Sequence, residues 1–549
     1  MTPPVKRSPA EDLKENSRRL RGPVLEDLAT DSPQFSRPSV GVLKFHGVYQ
    51  QDDRDLRKKS PTKVYSCMVR VGVPGGGLTA EQYIGLDRLA DEAGDGTLRI
   101  TSRQGVQYHY VGKTSLARLI RSINETGLNT WAACGDVVRN VTACSAPLAG
   151  AQRGDMDVLV RELRRALQPA SRAYAEIWLD GEKAATLESP AELEEEPLYG
   201  ATYLPRKFKI GFAFEGDNTT DIYSNDLGFV PHFEGGVLAG FTVLAGGGMG
   251  QANGVKGSYP RMADPVCFVG PDEVLEVSRA VVSIHRDFGN RVNRKLARLK
   301  YVMDERGLDW FKEELAARLG RALQPPRELV WTRADDYLGW HEQAGGGWFF
   351  GLRVVSGRLA GAVRAAVREV VERFGCAVRF TVQQNLYFAG LREEQKAEVE
   401  GVLRKHGVAL PGELPPVLRH SMACPALPTC GMAITESERI LPDVAAEVQK
   451  ELSGLGLDER VVHLRTTGCP NGCARPYTAE IGIVGESVEL YTIYLGGSPR
   501  GDRLGSPYRR LIPLKELAAT LRPLFEQWRD GGAASGESFG DWYWRVKPS

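Results

Sequence analysis

The sequence predicts an α+β protein made by internal duplication, each half a strand-and-helix module followed by a larger α/β module. Three echoes at one offset carry that expectation. LRITSRQGVQYHY (Leu98–Tyr110) returns about 280 residues later as VRFTVQQNLYFAG (Val378–Gly390). NVTACSAPLAG (140–150) lies opposite HSMACPALPTC (His420–Cys430), which sets Cys144 against Cys424. GFTVLAGGGMG (Gly240–Gly250) pairs with LYTIYLGGSPRG (Leu490–Gly501).

Taken in order, residues 1–60 carry few periodic signals and are expected to form an extended N-terminal arm. VYSCMVRVGV then reads as a strand, GLTAEQYIGLDRLADEAG as a helix and LRITSRQGVQYHYV as one further strand. FGLRVVSG, AGAVRAAVREVVERFG and VRFTVQQNLYFAG repeat this β-α-β unit. MDVLVRELRRAL and DEVLEVSRAVVSIHRDFG are amphipathic packing helices. Pro325, Pro326 and Arg327 mark a seam between the halves. The resulting division is an arm (1–60), a first small module (61–130), a first large module (131–325), a second small module (326–415) and a second large one (416–549). A cofactor would sit between the halves.

Composition narrows the partners. The 549 residues, 42% hydrophobic and 25% charged, suffice for several cores. Seventy basic residues against 69 acidic ones leave a net charge of +1, so no global field attracts nucleic acid or an anionic membrane. The N-terminus has no apolar signal core, and the uncharged stretch Gly235–Val255 is too rich in glycine for a membrane span. Nine cysteines in such a chain point to a reducing compartment, the cytoplasm, with thiols serving as ligands.

Four of those cysteines carry the chemistry. Cys424 and Cys430 lie in SMACPALPTC, Cys469 and Cys473 in TTGCPNGCARP. Two sulfurs from each of two loops can close a four-thiolate site for zinc or a 4Fe–4S cluster. Neither loop has the form of a zinc knuckle, and their Pro and Gly flanks suit the bulkier cluster. A zinc-stabilised anion-binding protein without catalysis is the alternative from another class.

These loops, together with FHGVYQQDDRDLR, AYAEIWLD, YLPRKFK, AEIGIVG, LGGSPRGDRLG and SFGDW, resemble the sulfite and nitrite reductase haemoproteins over nearly the whole chain. The resemblance makes the two small modules ferredoxin-like. It implies siroheme and a 4Fe–4S cluster between the halves, with Cys473 ligating both. Arg99, Arg103 and Arg206 are then expected at the siroheme carboxylates, the first two sharing one face of a strand. Arg70, Arg139, Lys207 and Lys209 are expected around the substrate oxyanion, both lysines facing one way as they alternate with Phe208. Nitrite reductases of the family tend to have Asn where this chain has Lys209. The implied reaction is therefore six-electron reduction of sulfite to sulfide, with a ferredoxin-dependent nitrite reductase as the alternative. Some ferredoxin-linked relatives join a Cys and a Tyr at the positions of Cys134 and Tyr49; packing of a small Cys beside a ring is the plainer reading. Of the eight histidines, His109 is the one expected nearest siroheme, with a satisfied structural histidine as the plainer reading. With no G-x-G-x-x-G segment, electrons must come from a separate ferredoxin or flavoprotein.

Overall fold

In the segment YSCMVRV, Cys67, Val69 and Val71 enter the main core while Arg70 turns to the opposite face. That alternation fixes which side of the first module can hold charge. The computed structural model describes residues 7–60, 62–148, 153–171, 173–174 and 196–547. The part of AYAEIWLD after Tyr174, and the last two residues of NVTACSAPLAG, lie outside them.

The first small module contributes β1 (Val48–Asp52), β2 (Tyr65–Val71), β3 (Gly77–Leu78), β4 (Leu98–Ile100) and β5 (Val106–Val111). The first large module has β6 (Thr142–Ala143), β7 (Ile210–Phe212), β8 (Leu227–Glu234), β9 (Val237–Ala245) and β10 (Asp264–Val269). In the second half the small module supplies β11 (Gly339–Glu342), β12 (Trp348–Leu352), β13 (Arg358–Leu359), β14 (Ala377–Phe380) and β15 (Leu386–Leu391). The large one supplies β16 (Ser421–Ala423), β17 (Leu464–Thr467), β18 (Ile481–Ser487), β19 (Leu490–Leu495) and β20 (Ser506–Pro513).

The duplication is visible in the sheets. Both large sheets run three parallel strands and then two antiparallel ones, β6-β7-β8-β9-β10 and β16-β17-β18-β19-β20. The small sheets have the orders β1-β2-β5-β4-β13 and β11-β12-β15-β14-β3. Each small module thus lends a two-residue strand to the other: β3 pairs with β14, and β13 with β4. The modules are consequently interlocked rather than separable. Their helices Ala80–Ala93 and Gly361–Phe374 are joined by Arg364, which pairs with Asp87 at 2.7 Å and Asp91 at 2.5 Å. One core spans both small modules and the first large one, and a second lies under β16 to β20.

Two expectations are corrected. The N-terminal segment is no extended arm: it holds helices Pro9–Glu15, Val24–Leu28, Arg37–Leu43 and Arg54–Lys59, and β1 joins the first sheet. Leu20, Val24, Val42, Leu43 and Phe45 are buried without a long periodic run to announce them. LRITSRQGVQYHYV is two strands, because Gln104 (φ 58°) and Gly105 turn the chain after Ile100. The second half repeats the break at Gln384 (φ 70°).

The halves are clamped by buried ions. Asp221 accepts from Arg465 at 2.9 Å and Arg475 at 2.5 Å, all three nearly inaccessible. Arg475 also donates to Ser102 O and Val382 O, which lie in the equivalent turns of the two small modules. Replacing Asp221 with Ala leaves two buried guanidinium groups uncompensated, at a cost of about 3–5 kcal/mol. A lower unfolding midpoint in denaturant than for the parent, with an unchanged slope, is the expected outcome; an unshifted midpoint would contradict the clamp.

Candidate functional site

Parallel strands β16 and β17 deliver the cysteines. Cys424 directly follows β16, and Cys469 follows β17 after Gly468. The CPNGC loop closes tightly at Gly472 (φ 60°), where a Cβ would lie 2.7 Å from the Tyr477 ring. Tyr477 donates to Pro470 O at 2.8 Å and so holds the loop from below. The loops aim N–H groups at sulfur: Gly468 at Cys424, Met432 and Ala433 at Cys430, and Asn471, through backbone and side chain, at Cys469. Such N–H···S contacts stabilise thiolates that bind metal.

As free thiols these groups resist ionisation. Burial first, and then the charge of Cys473, push Cys424 and Cys430 up and Cys469 up to about 11. Four mutually repelling sulfurs, three of them with aimed N–H donors, fit a positively charged metal core. Zinc needs sulfurs about 3.8 Å apart if each is about 2.3 Å from the metal. Among the described residues, no three cysteine sulfurs lie within 4.8 Å of one another. That wider spacing suits a cluster.

Across from the loop stand the first half's cations. Arg70, on β2, donates to Cys134 Sγ at 2.8 Å, and Tyr49 hydrogen-bonds to the same sulfur, so the Cys134–Tyr49 pair is brought together. Arg139 is held by Gly135 O at 2.7 Å and Ala133 O at 3.4 Å. Phe208 packs into the core while Lys207 and Lys209 face away from it, as their alternation predicts, although here Phe208 makes only an isolated bridge to Val138. Among the described residues, the side chains of Arg206, Lys207 and Lys209 have no protein hydrogen bond or ion pair. Burial, with Arg206 next in weight, lowers Lys207 to about 7; burial and Lys207 hold Lys209 well below the usual lysine range. Cys473 acts electrostatically on both Arg70 and Lys207. One loop therefore touches both the sulfur site and the cation pocket.

The expected siroheme arginines divide. Arg99 and Arg103 do not share a strand face, since the turn after Ile100 separates them. Arg99 is committed to Glu438 at 2.9 Å and to Ala423 O at 3.0 Å, bracing the residue before Cys424. Arg358 joins it on Glu438 at 2.7 Å, a partner that no local signal in the sequence announced. Arg103 clamps Asn225 Oδ1, Asn140 O and Ile210 O, yet its Nε is buried without a partner.

His109 is the residue undervalued in the sequence. It lies on β5 on the same face as Gln107, the partner of Arg70, and both its ring nitrogens are buried and unpartnered. Burial, then Arg358, Arg99 and Arg70, hold it neutral. Unsatisfied buried polar atoms on His109, Arg103 Nε, Arg70 Nε and Asn140 Oδ1 fit a bound polar group in this cleft. The period-2 pattern gave its face; only the structure revealed that no hydrogen bond among the described residues satisfies its ring.

Comparison with known proteins agrees with this geometry. The model described as the nitrite and sulphite reductase 4Fe-4S domain matches residues 162–323, and the nitrite/sulfite reductase ferredoxin-like half domain matches 59–126 and 341–406. A Synechococcus elongatus protein named sulfite reductase (ferredoxin) is 41% identical over 99% of this chain and 90% of its own. A Myxococcus xanthus protein named sulfite reductase (NADPH) hemoprotein beta-component is 42% identical over 98% and 96%. The chain belongs to the nitrite and sulphite reductase family. The solved Mycobacterium tuberculosis NirA protein has the same fold, with a TM-score of 0.79 at 24% identity, covering 99% of this chain and 97% of its own. In this family member the 4Fe-4S domain match falls on the first large module, whereas the clustered cysteines lie in the second. The shared sheet order explains how one domain description applies to a half without those thiols. Among the described residues, no helix is long and apolar enough to cross a membrane.

Cys473→Ser should remove the sulfur common to the cysteine group and the cation pocket. We expect loss of protein-bound iron and acid-labile sulfide in the purified variant; full retention of both would refute the four-cysteine site.

Proposed function

We propose that the chain is a sulfite reductase haemoprotein that reduces sulfite to sulfide, with siroheme and a 4Fe–4S cluster as resident cofactors. The observation that carries this reading is Cys473, which acts electrostatically on Cys424, Cys430 and Cys469 and also on Arg70 and Lys207. Cys424, Cys430, Cys469 and Cys473 would hold the cluster. Cys473 would also hold the siroheme iron, with Arg103, Arg206 and His109 lining the macrocycle. Arg99 acts through Glu438 and Ala423 as a brace. Siroheme, when bound, supplies an iron that binds sulfur and takes up electrons singly from the cluster.

The chain's own residues handle charge and protons. Arg70 and Arg139 are permanent cations whose guanidinium groups are held by Cys134 Sγ and by backbone carbonyls. Lys207, lowered to about 7, can both hold and release a proton at Nζ near neutral pH. Burial first, and then Lys207, hold Lys209 well below the usual lysine range, so an arriving anion favours its protonation and brings a proton in with the substrate. Each oxygen leaving sulfur as water needs such protons. Lys209, together with the relatives' names, favours sulfite over nitrite.

Electrons arrive from a separate donor, a ferredoxin or a flavoprotein. Helix Arg54–Lys59 lies on the cluster loop, with Arg54 N bonded to Pro428 O and its guanidinium to Ala433 O. Its cations alternate with acids: Arg57 pairs with Asp52, Lys58 with Asp55, and Arg439 with Asp55 and Glu436. Docking there would rest on shape and on Met432, 67% exposed two residues after Cys430, more than on a uniform field. All nine cysteines are free thiols, which suits a reducing cytoplasm.

Two experiments test this reading. At full cofactor occupancy, Lys209→Asn should lower sulfite turnover relative to nitrite turnover by about ten- to a hundredfold, the worth of one charge-assisted hydrogen bond; equal losses would remove Lys209 as the selector. Met432→Glu should slow turnover with a protein donor about tenfold and leave turnover with a small-molecule reductant unchanged. A variant equally active with both kinds of donor would move the docking surface elsewhere.

A further inference from the structure

The two large sheets match residue for residue at the starts of their parallel strands. Ala143 pairs with Phe212 and Phe212 with Phe229, as Ala423 pairs with Thr466 and Thr466 with Ile483. Counting back three residues from each makes His420 the counterpart of Asn140, His463 of Lys209, and Glu480 of Asp226. The hydrogen bonding repeats as well: Asp226 Oδ2 accepts from Lys209 N at 2.8 Å, and Glu480 Oε2 from His463 N at 2.9 Å. Where the first half places a substrate-facing lysine, the second places a histidine. Asp335, just past the seam between the halves, reaches both histidines. Its Oδ1 lies 3.2 Å from His420 Nδ1 and 2.5 Å from His463 Nε2.

We propose that Asp335, His420 and His463 form a binding site for a divalent first-row transition metal, with Glu480 as the outer partner of His463. One ligand atom from each of the three lies within 4.8 Å of the others. A tetrahedral site with bonds of about 2.0–2.1 Å has ligand–ligand edges of about 3.3 Å. The Asp335–His420 edge already has that length. The Asp335–His463 edge must open by about 0.8 Å to reach it; the Asp335 side chain, 30% exposed, has the freedom to do so. Two imidazoles and a carboxylate suit Zn²⁺ or Fe²⁺ and leave a fourth position for water or another ligand. Glu480 Oε2 stands 2.7 Å from His463 Nδ1, the outer carboxylate contact that fixes a metal-binding imidazole. Glu480 is itself anchored, its Oε1 accepting from Gly540 N at 2.8 Å. The site sits at the N-terminal ends of β16 and β17, the strands whose other ends lead to Cys424 and Cys469. A metal there ties the seam to both cluster-bearing strands.

The test uses cofactor-loaded protein, cleared of loosely held metal by a chelator and titrated with Zn²⁺ against a metallochromic indicator, with metal content read by mass spectrometry. One Zn²⁺ per chain in addition to iron is expected. Asp335→Asn and His420→Ala, both at partly accessible positions, should each weaken that binding by at least about tenfold to a hundredfold while iron and acid-labile sulfide stay at parental levels. Absence of binding at micromolar Zn²⁺ would overturn the site and leave a hydrogen-bonded strut of imidazole and carboxylates. Equal binding by parent and both variants would overturn it as well, assigning the zinc to other residues.

Discussion

The fold is organised around cations that must stay without a protein counter-ion. Burying an uncompensated charge costs several kcal/mol, so most buried cations here are answered by carboxylates: Arg298 by Asp226, Arg465 and Arg475 by Asp221, Arg99 by Glu438. Arg70, Arg139, Arg206, Lys207 and Lys209 are not so answered among the described residues. Their mutual repulsion has to be resisted by the surrounding structure, and the two lysines are lowered first by burial and then by neighbouring cations. A pocket of this kind keeps its affinity for anions because the protein does not neutralise it from within.

The resistance comes from the duplication. Exchange of β3 and β13 ties the small modules into one body, and the equivalent turns at Gln104 and Gln384 meet near its middle. Gln104 Nε2 donates to Ala143 O and Phe380 O, one carbonyl from each half. Arg475 does the same from the cluster side through Ser102 O and Val382 O. The cation pocket and the sulfur loops therefore face each other across a seam that cannot open without breaking buried hydrogen bonds.

Much of this was legible in the sequence, because repeats and paired cysteines are local signals. The echoes gave the halves, and the sulfur spacing singled out the four cysteines proposed to hold the cluster. Two-residue exchanged strands have no period to detect, and the N-terminal helices are too short to show one. Arg99 illustrates a different limit. Its place on a strand could be read, but its partner Glu438 lies 339 residues away, so whether its charge was free or committed depended on tertiary structure. His109 erred in the opposite direction, since a histidine on a buried strand is usually satisfied. The Asp335, His420 and His463 group was invisible for the same reason as Glu438: three isolated residues from three segments carry no spacing.

Duplication also explains why one centre carries oxidisable thiols and the other unpaired cations. At equivalent places after the first parallel strand stand Cys144 and Cys424, but Cys144 donates to Asp217 Oδ2 at 3.3 Å. A second cluster there would place sulfur anions beside a carboxylate. In the other direction, moving the lysine pair to the second half would set it against Asp335 and Glu480, which would neutralise it. Each half therefore retains only the residues its neighbour can use: thiolates face free cations, and the carboxylates of the opposite pair face histidines. The ancestral symmetry persists in the backbone register, while the side chains at equivalent positions have diverged between thiols and cations.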